Sequence, residues 1–244
     1  IPTILPPMSE EECFEVTKIY SICGLLPEGK GLIKTRPFRA PHHTISVSAM
    51  VGGGRKVMPG EVSLSSHGCL FLDEITELPR NVMESLRQPL EDKVVQISRV
   101  SGTDYFPANS MLVAAMNPCR CGYYPDMQKC RCSESGLRRY FERVSQPLID
   151  RIDICVEAQS LSYGELTIKG KNESSADIQK RVRACYEIQC QRFKDEPFVH
   201  NSQIPASRLD EYCHLGEKEY RYMENIYEKM ALTGRTYHKI LRVA

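Results

Sequence analysis

At 244 residues the chain is long enough to bury a core and to hold one or two domains. With 41% hydrophobic and 26% charged residues it has an ordinary globular composition, and no apolar run approaches the ~20 residues of a membrane span. A net charge of +1 carries no global nucleic-acid signature, so any basic surface must be local. Eleven cysteines, an odd number spread through regular segments, suit a reducing cytoplasm better than a disulfide framework. The opening "IPTILPPMSEEE" lacks the basic start and apolar stretch of a signal peptide, and a first residue of Ile suggests a chain cut from something longer.

Ser9 and Glu12 form a capping box that opens a helix through "ECFEVTKIYSICGLL". Residues 29–60 are Gly/Pro-rich and irregular, a loop long enough to be functional or to contain short elements of its own. "CLFL" then runs into Asp73-Glu74, the pattern of a buried parallel strand that delivers two carboxylates to the edge of a sheet. "NVMESLRQPLED" predicts a helix with Val82, Leu86 and Leu90 on one face. Residues 93–107 predict a hairpin turning at Ser-Gly-Thr-Asp, and "SMLVAAMNPC" a second buried parallel strand ending near Asn117. A cysteine-rich insert fills 119–132, and "PLIDRIDICVEA" should contain a third strand. After Ser160 the patterns are helical, which puts a domain boundary near residue 160.

A carboxylate pair of this kind, a Walker B element, needs a phosphate-binding loop as partner. Gly24-Leu-Leu-Pro-Glu-Gly29-Lys30 matches the spacing but follows a helix, has Gly31 in place of the Ser or Thr, and soon meets Pro37. It reads as a helix C-terminus and a loop. "GGGRK" at 52–56 fails on spacing. The loop is therefore absent from this chain or lies upstream of Ile1.

With Asp73-Glu74, Asn117 and Arg151 in that order, the chain resembles the AAA+ ATPases, and within them the magnesium-chelatase-like family that includes the ComM/YifB-type competence proteins. "RPFRAPHHTIS", "GGGRKVMPGEVSLSSHGCLFLDEI", "LRQPLEDK", "AAMNPCRCGYY", "PLIDRIDI" and "GRTYHKILRVA" carry the resemblance across nearly the whole sequence. It implies an α/β fold: an AAA+ αβα core with a parallel sheet over residues 1–160, its first strand and P-loop missing, plus a small, truncated helical lid over 161–244. It also implies roles. Asp73 would hold Mg²⁺ and Glu74 would polarise the water that attacks the γ-phosphate of ATP. Asn117 would be the sensor, with a turn cap before Pro118 as the plainer reading. Arg151 would be an arginine finger acting on a neighbouring subunit, with Arg143 as fallback and a surface ion pair as the bland alternative. Arg235, after a cap at Thr233, would be the second sensor. A finger acting in trans implies identical subunits in a ring, a hexamer for the intact protein. This chain, without the phosphate-binding lysine, is expected to be inactive by itself.

Cys119-x-Cys121-x₈-Cys130-x-Cys132 places four thiols within a short loop, open to three readings: a Zn²⁺ site, free thiols or a disulfide. His42-His43 has no acidic or cysteine partner nearby in sequence and reads as structural. Arg55 and Lys56 in the 52–57 loop, and Lys93 and Arg99 in the hairpin, could touch the phosphates of DNA threaded through a ring, or could simply be solvated. The resulting reading is an ATP-hydrolysing motor whose intact form is a DNA translocase or helicase. A chelatase-type or protein-remodelling ATPase, and a non-catalytic AAA+-like interaction module, are the alternatives.

Overall fold

A computed structural model of the chain describes residues 1–26, 29, 31–100, 102–158, 163–164 and 173–244. It divides into two compact units, Ile1–Pro2 with Pro7–Arg151 and Thr3–Pro6 with Ile152–Ala244. The boundary expected near residue 160 falls outside the described residues. No helix among them is long and apolar enough to cross a membrane.

In the first unit, helix α1 (Glu10–Ile22) begins on both bonds of the capping box. The Glu12 N–H donates to Ser9 Oγ at 3.2 Å, and the Ser9 N–H donates to the Glu12 carboxylate at 3.0 Å. The helix ends at Gly24, whose φ of 68° lets Leu25 N–H reach the Tyr20 carbonyl at 2.8 Å. The first glycine of the Gly-x-x-x-x-Gly-Lys match therefore closes a helix instead of preparing one; Lys30 lies outside the described residues.

The Gly/Pro-rich stretch does hold short elements. These are β1 (Phe38–Arg39), α2 (Val47–Val51), and β2 (Gly52–Gly53) paired antiparallel with β3 (Met58–Pro59). Next come α3 (Glu61–Leu64), β4 (Cys69–Leu72), α4 (Arg80–Ser85), α5 (Arg87–Asp92), the antiparallel pair β5 (Val94–Arg99) and β6 (Gly102–Pro107), β7 (Met111–Ala114), α6 (Glu134–Phe141) and α7 (Gln146–Ile149). The expected parallel sheet is present, with β4 between β1 and β7 and parallel to both. Leu70 and Leu72 point its apolar content into a core with Met50, Val62, Val82 and Leu148. Burial of such side chains, each contributing ~1.5–3 kcal/mol, holds the sheet to its helices.

Four expectations are corrected. "NVMESLRQPLED" forms two helices that meet at Leu86, because Pro89 has no N–H to give to Ser85 and its ring crowds that carbonyl. Val82 and Leu86 are still buried, while Leu90 is only partly so. The hairpin turns between Arg99 and Gly102, two positions earlier than the Ser101–Asp104 turn expected. Thr103 and Asp104 instead pair with Ser98 and Ile97, a register closed by the two-residue connection that antiparallel strands favour. Strand β7 is parallel as expected but half-buried, since it lies at an edge of the sheet among the described residues. "PLIDRIDICVEA" supplies helix α7 and no strand: Ile154 and Val156 are exposed, and the alternating pattern has no ladder to join. The third strand of the sheet is β1, from "RPFRAP".

His67 occupies a left-handed turn (φ 57°) just before β4, with its Nδ1 3.2 Å from Glu12 Oε1 and its Nε2 against Glu15. Burial disfavours the charged imidazole, but the two carboxylates outweigh it and raise the pKa above 6.5. Glu12 is lowered below 4.5: burial opposes ionisation, and the His67, Ser9 and Arg36 contacts overcome it. The raised His67 pKa stabilises the fold fully below about 6.5 and loses that contribution as pH rises through the folded value. The lowered Glu12 pKa contributes above about 4.5 and is lost as pH falls through its folded value. The difference in melting temperature between wild type and His67→Gln should therefore be largest near pH 5.5 and shrink by pH 9. Thermal melts across that range check it; a difference that grows with pH would contradict the ion-paired assignment.

The second unit is helical: α8 (Ser175–Arg192), α9 (Leu209–Tyr212), α10 (Glu217–Lys229) and α11 (Gly234–Val243). Phe193, Phe198, Ile204, Leu209 and Leu241 form its core. Arg208 grips Glu196 with both nitrogens at 2.6 and 2.8 Å, and Tyr212 donates to the same carboxylate. The Arg208 hydrogen bonds, then that of Tyr212, bring the Glu196 pKa down to about 2. An α/β unit with a parallel sheet followed by a helical unit is consistent with an AAA+ core and lid.

Candidate functional site

Three parallel strands end on the same side of the first unit. Phe38 lies opposite Cys69 and Leu72 opposite Ala114. Continuing that register brings His42-His43, Asp73-Glu74 and the Ala115–Asn117 segment to the C-terminal edge of the sheet, where α/β proteins bind ligands. The polar residues at this edge are set in place by the backbone. Ala115 N–H donates to the Leu72 carbonyl at 2.9 Å, and Ile75 N–H donates to the Ala115 carbonyl at 3.0 Å.

Asp73 and Glu74 are both exposed. The Glu74 N–H donates to Asp73 Oδ1 at 3.0 Å, and Glu74 itself is left-handed, with φ 48° and ψ 49°. A non-glycine residue held there costs ~1–3 kcal/mol, and such strain persists only where its surroundings enforce it. Here the enforcement is the short helical turn Ile75–Glu77, anchored by buried Ile75 and Thr76. The carboxylate of Glu74 also has a neighbour that sequence spacing hid, His43 Nδ1 at 3.7 Å. The acidic partner that the His42-His43 pair lacks nearby in sequence arrives from the next strand.

Asn117 is exposed, and its backbone is pinned. Buried Tyr140, from α6, donates its hydroxyl to the Asn117 carbonyl at 3.0 Å and accepts from Thr76 Oγ1 at 3.1 Å. One phenol thus ties the turn after Glu74 to the loop carrying Asn117. Nothing in the spacing of Tyr140 signals this, because the partners are 64 and 23 residues away.

The arginines are more committed than expected. Arg151 is largely buried, donates to the Pro147 carbonyl at 2.6 Å and pairs with Glu91. Arg143 pairs with Glu77 at 2.6 Å, directly beyond the carboxylate turn. Arg235 is exposed in the first turn of α11, in the second unit, behind a Thr233 cap that accepts from Thr236 N–H at 3.2 Å.

Arg99 joins the two loops singled out as basic, since its guanidinium donates to the carbonyls of Gly54 and Arg55. These bonds fix the guanidinium beside the exposed Arg55 and Lys56, and Arg99 keeps its positive charge. Lys93, at the other end of β5, is about 20 Å away along the strand.

The four cysteines of 119–132 come together, with every pair of sulfurs within 4.8 Å. None of the four is joined in a disulfide, which overturns that reading and leaves zinc ligands or free thiols. Burial opposes ionisation of Cys119, yet the Tyr124 N–H and the Cys121 thiol prevail and lower it to about 6. Cys130 is pushed up to about 12: an N–H from Cys132 lowers it, but burial and the neighbouring thiols prevail.

The comparisons with known proteins agree along the whole chain. Residues 1–166 match the family described as magnesium chelatase, subunit ChlI, and residues 172–244 match the C-terminal region of the same subunit. The competence protein ComM of Haemophilus influenzae is 38% identical over 242 residues, which is 99% of this chain and 46% of that protein. An uncharacterized protein of Salmonella typhimurium, YifB, is also 38% identical over 242 residues, 99% of this chain and 47% of its own length. An uncharacterized protein of Mycobacterium tuberculosis is 36% identical over 245 residues, covering 100% of this chain and 48% of that protein. The chain thus spans about half the length of the curated relatives it matches.

Proposed function

The chain belongs to the magnesium chelatase ChlI family, and on that premise we propose that it is part of an ATP-hydrolysing AAA+ motor whose full-length form moves or unwinds DNA. The observation that carries the reading is the meeting of Asp73, Glu74 and Asn117 at the C-terminal edge of one parallel sheet. The residues fit the metal- and water-facing side of a magnesium–nucleotide site, the side that does not depend on a phosphate-binding loop. Both carboxylates are exposed, and only one oxygen of Asp73 is engaged by the Glu74 N–H. When bound, Mg²⁺–ATP would supply the electrophilic phosphorus and the leaving group.

Within that site, Asp73 would hold the metal through water, and Glu74 would accept a proton from the attacking water. The Asn117 amide can orient that water without adding charge. His43, 3.7 Å from Glu74, would hold the same carboxylate between turnovers. Arg151 as a finger toward a neighbouring subunit requires its release from Glu91, which ring assembly, a hexamer in this reading, would have to drive. Arg235 is assigned to the lid as a second sensor.

DNA is favoured over a porphyrin or protein substrate by the Arg55–Lys56 tip and by the likeness to a competence protein. Cations at the tip of a glycine loop can approach a phosphate backbone closely, without base specificity. ATP hydrolysis by the full-length protein, measured with and without single-stranded or branched DNA, tests this. DNA should stimulate turnover. The Arg55→Ala/Lys56→Ala double variant should keep basal hydrolysis, lose most of the stimulation and show a shallower salt dependence of DNA binding. Robust hydrolysis indifferent to DNA would leave a chelatase-type or protein-remodelling motor. Absence of nucleotide binding would leave an interaction module.

A further inference from the structure

Residues 119–132 form neither helix nor strand, and Cys119, Cys121, Cys130 and Cys132 are the only side chains among them that are not exposed. Even the apolar Tyr123 and Met127 face solvent. The interior of this loop is therefore sulfur, and apolar burial cannot offset the entropy of folding it back on itself. A cross-link can.

The sulfur positions identify the kind. Cys119 Sγ lies 3.2 Å from Cys121 Sγ and 3.9 Å from Cys130 Sγ; Cys121 Sγ lies 3.6 Å from both Cys130 and Cys132. These separations exceed a disulfide bond of ~2.05 Å. Four thiolates at ~2.3 Å around a tetrahedral ion would stand ~3.8 Å apart, close to what is observed. The outer shell suits a charged centre as well. Tyr124 N–H points at Cys119 Sγ at 3.5 Å, and exposed Arg120, Lys129 and Arg131 flank the four sulfurs.

We propose that Cys119, Cys121, Cys130 and Cys132 bind one Zn²⁺ as a closed tetrathiolate site with a structural role. Four protein ligands leave no open position for a reacting water, which separates this centre from the magnesium site at the sheet edge. Its place in the chain gives it a task. The loop starts two residues after Asn117 and ends at Ser133, whose hydroxyl caps α6 by accepting the Gly136 N–H at 3.1 Å. Helix α6 then returns Tyr140 to the Asn117 carbonyl. The ion closes the remaining side of that circuit and fixes both ends of the Asn117 loop. Only this last consequence leans on the functional role assigned to Asn117.

Metal counting on the full-length protein, purified under reducing conditions without added metal or chelator, tests the proposal. About one zinc per chain is expected, retained on dialysis and released when an organomercurial titrates the thiols. Cys130→Ser/Cys132→Ser should lose the zinc, while Cys155→Ser, an exposed thiol outside the cluster, should keep it. Cobalt bound in place of zinc should give the absorption of a tetrahedral thiolate site. Three results would overturn the assignment: wild-type protein that neither carries zinc nor takes it up when reduced, iron at the same stoichiometry, or zinc undiminished in the double variant. The wild-type count depends neither on a variant folding nor on ATP hydrolysis, so it stands apart from the motor reading.

Discussion

Glu74→Gln in the full-length protein should slow ATP hydrolysis by about 100-fold or more while leaving ATP binding intact, as removal of a general base does. The substitution preserves size and the exposed position at the end of β4 and removes only the basic oxygen. Glu74 is held in a left-handed conformation by the turn that follows it, so Gln should inherit the same placement. Nucleotide binding measured by fluorescence or calorimetry, alongside phosphate release, separates the two effects. Loss of binding and hydrolysis together would mean that the turn has collapsed. Unchanged hydrolysis would remove Glu74 from the chemistry.

Gly68→Ala should be among the most destabilising single substitutions in the first unit. A Cβ at Gly68 would stand 2.0 Å from the Pro37 carbonyl oxygen and 2.7 Å from the Pro37 nitrogen, both backbone atoms with no rotamer to yield. That carbonyl accepts the Cys69 N–H at 2.9 Å, the first bond between β1 and β4. An added methyl must push the strands apart, and overpacking of this kind costs ~1–3 kcal/mol or more. A drop in melting temperature of roughly 5–10 °C is expected for a unit of this size. Gly31→Ala, where a Cβ meets nothing within 4 Å, should change little. Equal melting of the two variants would contradict the close approach of Pro37 and Gly68.

What the sequence conveyed divides along physical lines. The capping box at Ser9 and Glu12 was legible because both partners lie within one turn. Strand β4 was legible because "CLFL" is apolar on both faces and ends abruptly in charge. The break at Leu86 is legible in Pro89, although the apolar spacing alone favours a single helix. The missing strand in "RIDICVEA" was not, since alternation describes a side-chain pattern and a strand also needs a neighbour. The same limit hid much of the candidate site. Asp73, Glu74 and Asn117 each end an apolar run and could be read locally. His43 beside Glu74, Tyr140 on Asn117 and Arg99 on the Gly54–Arg55 backbone are encounters across 23 to 45 positions that only the register of the sheet, the return of α6 and the hairpin create.

The central claim is that the edge built by Asp73, Glu74 and Asn117 is an ATP-hydrolysing site, and its most direct test is magnesium-dependent phosphate release by the full-length protein, compared with Asp73→Asn. Turnover should stop when the metal is chelated, return when it is restored, and be lost in the variant at every magnesium concentration tested. Hydrolysis of equal rate in wild type and Asp73→Asn would contradict it.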